Sequence, residues 1–542
     1  VSLLAFIALL CLLAAPLIAV ALSETFYRFS RFQFLAVFPP LIAALIVFAA
    51  AWVLRLESFE TLIGGWSPVS VTAAPLVLSN FPPNAAILIA WTGASLIRQW
   101  RQGPAELPNA GPSLFQALML TALVLVAFAN SLTVLVIGLG LVDGFTFLSV
   151  ILAKRRTRLA ALQLLMHGLS LVVLIGVLAL HATEGNSLYF PLTRIASYLV
   201  PFLDVALFLR CGFFPLSSPA DKASLSQWQA SACATLMLAA HLPGLGAGFR
   251  DTWFVTLATI SLFSASALAL LSTDSRTSTS LASIAAFFLA AVGLIVQQPA
   301  TIAAAAVAWL LGSELLQSRG NSRDPVSTRM ALYLRVAGAA VLIGLPLTVG
   351  FVGWAGVPSQ LVERGLGGIV LLLVWAISLA MLTATVLRVA FLNTAALHMS
   401  FDGPSRYMNR YIAPIVQLAP MLILALMAVL FGVVPQLLGA AGLAQPVLRN
   451  SILDWAIWLV ALAAGGIAWW FQTRWQDWAD VLRQSADDVL NLRWLHELWA
   501  GAIQRLARPL RLVFPFLESD GVLLWAIIII LLFVLVNRPG GP

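Results

Sequence analysis

Long apolar runs, each close to the ~20 residues that cross about 30 Å of hydrocarbon, follow one another along the chain. Sixteen such runs stand near 1–22, 34–54, 81–98, 113–130, 131–153, 161–180, 198–217, 225–246, 253–272, 279–298, 299–317, 331–352, 367–391, 411–438, 453–471 and 522–537. The pattern predicts an all-α polytopic membrane protein of about 14–16 transmembrane helices, because a broken helix can be counted twice. One stretch departs from it. Across 472–521, Leu495, Leu498, Trp499, Ile503, Leu506 and Leu510 recur at helical steps, with Arg493, Glu497, Gln504, Arg505 and Arg508 between them. Such a helix lies along the membrane interface, and Pro509 predicts a kink or break in it. It serves either as a surface anchor or as a strap across neighbouring subunits. Glu518-Ser519-Asp520-Gly521 then turns the chain into a last span.

Composition strengthens this picture: 61% of residues are hydrophobic and 10% charged, against about a quarter charged in soluble domains. The net charge of +8 matters through its placement. With the N-terminus outside, the inner loops collect Arg28, Arg31, Arg98, Arg101, Lys154, Arg155, Arg156, Arg158, Lys222, Arg276, Arg319, Arg323, Arg406 and Arg410. This bias predicts a bacterial inner (plasma) membrane protein with both termini on the outer face, and it does not imply nucleic acid. The first run has no basic n-region or cleavage site, so it is read as a span and not as a signal peptide. Cys11, Cys211 and Cys233 lie in apolar segments and are read as small hydrophobes, neither a disulfide framework nor a metal site. No catalytic nucleophile, nucleotide loop or cofactor motif is evident, so catalysis by this chain alone is not expected and any redox chemistry would belong to partners.

The run 331–352 ends in "GLPLTVGFVGW", where Pro346 removes a backbone donor and Gly344, Gly350 and Gly353 loosen the chain. A membrane tolerates a broken helix only where protein or a wet cavity satisfies the freed groups, so such breaks are candidate sites. "LPLTVGFVGW" resembles the LPxTxGFxGK signature of the antiporter-like subunits of respiratory complex I, Mrp antiporters and related membrane hydrogenases. The stretches 64–80, 129–149, 160–180, 207–223 and 270–284 resemble further segments of that family in the same order, and the tail resembles its largest, lateral-helix-bearing member. The resemblance implies two inverted five-helix repeats with broken helices. It divides the chain into N-terminal helices 1–110, halves 111–250 and 251–400, C-terminal helices 401–471, the lateral helix 472–521 and a final span and tail 522–542.

The resemblance also implies a buried glutamate and lysines that carry protons, and here the match departs. Aligned without gaps, the fifth-helix glutamate falls on Gly140, the sixth-helix lysine on Gln163, the broken-helix lysine on Arg210, a later lysine on Arg276 and the motif lysine on Trp354. The chain has two lysines, Lys154 and Lys222, both read as loop residues. Arginine keeps its proton near neutral pH and cannot replace them in a relay. A buried arginine still needs a partner. Asp143, three residues after Gly140, is expected to pair with Arg210, with Asp204 the weaker alternative. Glu314, Arg335 and Arg388 also fall in or near spans, Arg388 reading as a snorkelling anchor. His167 and His241 read as satisfied core histidines, while His181 and His398 sit at span ends and His496 on the amphipathic helix. Trp354 is expected to fill the place of the lost lysine, its N–H taken by a neighbouring carbonyl.

Three functions remain open at this stage: a structural antiporter-like subunit whose proton route has decayed; a conductor rewired through Asp143, Asp204, Glu314 and the histidines; and the membrane partner of an inorganic-carbon uptake complex. In each, the partners are other membrane subunits and the bilayer. Cysteine scanning of 493–510 tests the lateral helix: positions 495, 498, 499, 503, 506 and 510 should resist a water-soluble thiol reagent while 493, 497, 504, 505 and 508 react. Uniform reactivity would reject the helix.

Overall fold

The structure, a computed structural model, describes residues 60–66, 74–79, 81–102, 110–152, 157–184, 186–190, 193–213, 228–245, 252–272, 274–318, 325–354, 356–391, 421–434 except 424, and 452–471, with single positions among the first 53. The lateral helix, the final span, Lys154, Lys222, His398 and His496 lie outside the described residues.

An antiparallel ribbon of β1 (Glu60–Trp66) and β2 (Ala74–Ser79) opens the well-described part, in register from Glu60↔Ser79 to Trp66↔Ala74 with one irregularity between Leu62 and Gly64. The apolar runs gave no sign of it, because its strands are short and interrupted by Gly64, Gly65 and Pro75. Its backbone groups are used. Ser79 donates to the Phe128 carbonyl at 2.9 Å, Asn130 donates to Val77 at 2.9 Å, and Phe190 donates to Asn130 at 3.0 Å. The ribbon, the turn at 128–131 and the segment 186–190 are thereby stitched into one layer at the helix ends.

The helices of the first half are α1 (Pro82–Gln102), α2 (Ala110–Ala127), α3 (Leu132–Leu152), α4 (Thr157–Thr183), α5 (Val200–Cys211) and α6 (Trp228–His241). The second half supplies α7 (Thr252–Leu271), α8 (Ser275–Val292), α9 (Pro299–Leu316), α10 (Pro325–Ile343), α11 (Val349–Trp354), α12 (Val357–Val362) and α13 (Leu366–Phe391). The last, α14 (Ile452–Trp470), packs along α13. This is an all-α polytopic membrane protein carrying one small ribbon. Among the described residues, five helices are long and apolar enough to cross a membrane: Leu164–Thr183, Trp253–Leu271, Ser275–Val296, Pro299–Leu316 and Leu366–Phe391.

The core centres on α9, whose residues from Ala300 to Leu316 are all buried and which packs against α1, α6, α8, α10 and α11. Its run Ala303-Ala304-Ala305-Ala306 presents small side chains on every face, so neighbours approach closely; a helix apolar all round belongs in the interior. By contrast α4 exposes Leu165, Leu169, Val172 and Ile175, and α13 exposes Leu366, Ile369, Val370, Leu373 and Ile377. These two faces meet the bilayer or a neighbouring subunit.

The run 331–352 is two helices. α10 ends at Ile343, Gly344 and Leu347 take left-handed φ of 73° and 71°, and α11 begins at Val349. Only glycines fit the packing that follows. A Cβ on Gly350 would lie 1.9 Å from the Val341 carbonyl oxygen, and one on Gly353 would lie 2.6 Å from the Ala305 Cα of α9. The carbonyl freed at the end of α10 is recovered from across the bundle, where the Trp458 indole of α14 donates to Ile343 at 3.3 Å. Gly350→Ala and Gly353→Ala should therefore each destabilise the bundle by roughly 1–3 kcal/mol or more through overpacking. Gly367→Ala, where an added Cβ meets open space, should be silent in the same thermal-unfolding assay.

Candidate functional site: a buried carboxylate bound by four helices

α3, α4, α5 and α6 each contribute to one buried polar cluster. Arg210, in the last turn of α5 and 1% exposed, donates through Nη1 to Asp143 Oδ2 at 2.8 Å and through Nη2 to Asp143 Oδ1 at 3.0 Å. The pair is bidentate, the arrangement in which a guanidinium holds a carboxylate most firmly. α5 ends just beyond it, with Gly212 in a left-handed conformation donating to the Phe208 carbonyl. A cation at a helix C-terminus also gains from the backbone dipoles there.

Two further donors complete the carboxylate. Ser231 Oγ of α6 lies 2.8 Å from Asp143 Oδ1, and His167 Nδ1 of α4 lies 3.0 Å from the same oxygen and 2.8 Å from Ser231 Oγ. A bare ring nitrogen would face a carboxylate oxygen lone pair to lone pair, so the proton of a neutral His167 is assigned to Nδ1. The Ser231 hydroxyl then donates to Asp143. Arg210 Nε reaches Thr235 Oγ1 at 3.4 Å, and that hydroxyl donates to the Ser231 carbonyl at 2.8 Å. The cluster thus runs from α4 through Asp143 and Arg210 to two hydroxyls of α6.

His167 as a partner, and Ser231 and Thr235, escaped the reading of the sequence. The signal for His167 was in the hairpin: Asp143 stands nine residues before Leu152 at the end of α3, and His167 ten after Thr157 at the start of α4, so they are level. Gly140 is half-buried and faces Leu171, where an added Cβ would stand 3.4 Å from the leucine. Gln163 lies one turn before His167 on α4. Asp204 is buried on α5, and the carboxylate that holds Arg210 is Asp143.

The remaining candidates are dispersed. Arg276, matched to a later family lysine, is exposed in the first turn of α8; Asp274 caps that helix by accepting from the Thr277 amide at 2.9 Å. Arg388 is no snorkelling anchor: it donates to the Leu270 carbonyl at 2.9 Å, to Ala269 at 2.8 Å and to Ser278 Oγ at 2.8 Å, binding α13 to the turn between α7 and α8. Glu314 is buried on α9, and Arg335 on α10 donates to Ala331. His241 stacks on Phe81, ring centroids 4.3 Å apart, and leans on Phe190 at 4.9 Å. His181 is buried with Nε2 3.3 Å from the Ser187 carbonyl. Trp354 is buried with its edge against Gly344, but its N–H finds no hydrogen-bond partner among the described residues; the carbonyl at the break goes to Trp458 instead.

On α6 the cluster face continues to Trp228, three residues before Ser231. There an aromatic layer begins. Trp228 meets Phe287 at 4.8 Å and Trp309 at 5.7 Å, Phe287 meets Phe288 at 5.6 Å, and Phe288 meets Phe213 at 5.8 Å. The Trp309 indole N–H is taken by Ser283 at 3.2 Å, so that ring offers nothing to water. The layer joins α6 to α8 and α9.

Two solved structures share this architecture. A chain of the Mrp complex from Dietzia sp. DQ12-45-1b aligns over 99% of this protein and 64% of its own length, with a TM-score of 0.66 and 16% identity. The protein shares the fold of that chain of the Mrp complex. A chain of the membrane-bound sulfane sulfur reductase, an archaeal respiratory membrane complex, aligns over 97% of this protein and 99% of itself, with a TM-score of 0.61 and 17% identity. This protein thus spans less than two thirds of the length of the Mrp chain, 64%, and nearly all of the reductase chain. No family model and no curated protein matches the sequence. Within this antiporter-like fold, the pair predicts its own mutational signature. Asp143→Leu or Arg210→Met by itself should cost about 3–5 kcal/mol by leaving a buried charge unpaired, whereas the two together should recover most of it. Thermal unfolding of the four proteins gives the coupling, and additive losses would reject the pairing.

Proposed function

We propose that this protein is a structural antiporter-like membrane subunit of an Mrp-type or complex-I-type assembly, with its proton route closed. The observation that carries this reading is the bidentate Asp143–Arg210 pair. A relay needs a cation that can release its proton, and a guanidinium does not do so near neutral pH. The carboxylate beside it is fully engaged by Arg210, His167 and Ser231, so its negative charge is held in place. Beyond the cluster, Trp228, Phe287 and Trp309 meet ring to ring, and the Trp309 N–H is taken by Ser283. Trp354 fills the place of the motif lysine with a ring that does not titrate, and in this reading it plugs a half-channel inherited from a conducting ancestor.

The partners in this reading are other membrane subunits, which cover parts of the apolar faces of α4 and α13, together with lipid. Both termini lie on the outer face of a bacterial inner membrane, as the distribution of arginine indicates. The rewired conductor draws support from Glu314, a buried carboxylate on α9. Proton flux into vesicles containing the purified protein separates the two. The unmodified protein and Trp354→Lys should both leak no faster than empty vesicles, because one lysine does not rebuild the route. Coupled flux abolished by Glu314→Gln or Asp143→Asn would overturn the structural reading.

A further inference from the structure

Arg210, Arg335 and Arg388 all stand inside the bundle, and two of them commit their guanidinium to protein. Arg210 is held by Asp143 and Thr235, and Arg388 gives its terminal nitrogens to two carbonyls and the Ser278 hydroxyl. Arg335 differs. It is 7% exposed near the middle of α10, and it donates through Nε alone, to the Ala331 carbonyl of its own helix at 3.4 Å, a long bond. Its two terminal nitrogens meet no acceptor among the described residues, and the packing does not seal them as it seals the unpartnered Arg388 Nε. A guanidinium inside a membrane protein keeps its charge, so this open fork of N–H groups requires an oxyanion from outside the chain.

The bond to Ala331 turns the guanidinium back toward the start of α10. That helix begins at Pro325, so Ala331 stands about 9 Å along it. Before Ala331 comes the polar stretch Ser327-Thr328-Arg329, with Arg329 exposed; after it, up to Ile343, the residues are apolar apart from Tyr333 and Arg335 itself. The headgroup layer of a bilayer is about 5–8 Å thick on each side, and tyrosine rings collect at its inner edge. Tyr333 is 70% exposed, as such a ring would be. The fork therefore stands where headgroups give way to hydrocarbon. The oxyanion native to that level is a lipid phosphate, and two of its oxygens match the guanidinium fork. We propose that Arg335 anchors a lipid site at the start of α10, where it binds the phosphate of an anionic phospholipid. Arg329, nearer the aqueous phase, adds a second positive charge to the same helix end.

The test titrates the purified full-length protein in detergent with phosphatidylglycerol, dioleoylglycerol or inorganic phosphate, read by native mass spectrometry and by thermal unfolding. Phosphatidylglycerol should be retained and should raise the melting temperature, whereas dioleoylglycerol, which lacks the phosphate, should do neither. Arg335→Met should weaken retention of the tightest-bound phosphatidylglycerol about tenfold or more, because a hydrogen-bonded charge is lost from the site. Equal retention by Arg335→Met, or equal stabilisation by dioleoylglycerol, would overturn the site. Stabilisation by inorganic phosphate as large as that by phosphatidylglycerol would give the fork to a free anion and overturn the lipid. If the methionine variant fails to fold, a high-resolution map of the unmodified protein in phosphatidylglycerol nanodiscs decides. A phosphate within hydrogen-bond reach of Arg335 Nη1 and Nη2 supports the site; an empty fork there, or a neighbouring subunit's carboxylate in the fork in a map of the assembled complex, overturns it.

Discussion

An arginine buried in a membrane bundle keeps its charge, and the first half of this protein is arranged around that constraint. Arg210 reaches its position because α5 stops at Cys211, where the Gly212 turn places the guanidinium among α3, α4 and α6. Once there, it requires an ionised carboxylate at bidentate range, and Asp143 supplies one. That carboxylate in turn requires donors for its remaining lone pairs, which fixes the His167 tautomer and the Ser231 hydroxyl. The chain of requirements ends at Thr235, one turn further along α6. Four helices thus share a network in which each member is satisfied only while the others stay in place.

The second half meets the same demand for satisfied backbone with shape instead of charge. Where α10 breaks, one freed group finds its partner across the bundle. The Ile343 carbonyl goes to the Trp458 indole, and α11 folds tightly enough onto α9 and α10 that only glycine fits at 350 and 353. Asp454 holds the start of α12 through the Ser359 amide, so α14 supports both short helices. A channel needs slack at such a break for water to enter. At this break the packing leaves no room for a Cβ at Gly350 or Gly353.

How much of this the sequence disclosed depended on the range of each interaction. Asp143 as the partner of Arg210 was legible because Gly140 and Asp143 share a helix face and a buried arginine demands a carboxylate. His167 was judged alone and read as a core histidine; its role appears only when α3 and α4 are counted from their shared loop. Arg388 stands near the end of a long apolar run, a position that suits snorkelling and helix capping equally, and the deciding carbonyls at Ala269 and Leu270 are more than a hundred residues away. The break after Ile343 was announced by Pro346 and its glycines. The exchange of partners between Trp354 and Trp458 was not, since it depends on which indole reaches the carbonyl first in three dimensions.

The aromatic layer explains how a scaffold of this kind can lose ionisable residues without losing its fold. In a bundle, removing a buried lysine leaves a void and, where a carboxylate faced it, an uncompensated charge; the void is costly because interiors are close-packed. Large rings fill space without bringing a charge. Trp228, Phe287 and Trp309 meet edge to face at 4.8–5.7 Å, a geometry that is favourable beyond simple burial, and none of them brings a charge that needs a partner. The second fault is repaired by turning the remaining carboxylate into half of a permanent ion pair. Both repairs strengthen packing and both oppose proton transfer. In the proposed structural reading, a chain with both keeps the shape its neighbours bind while its own path for protons closes.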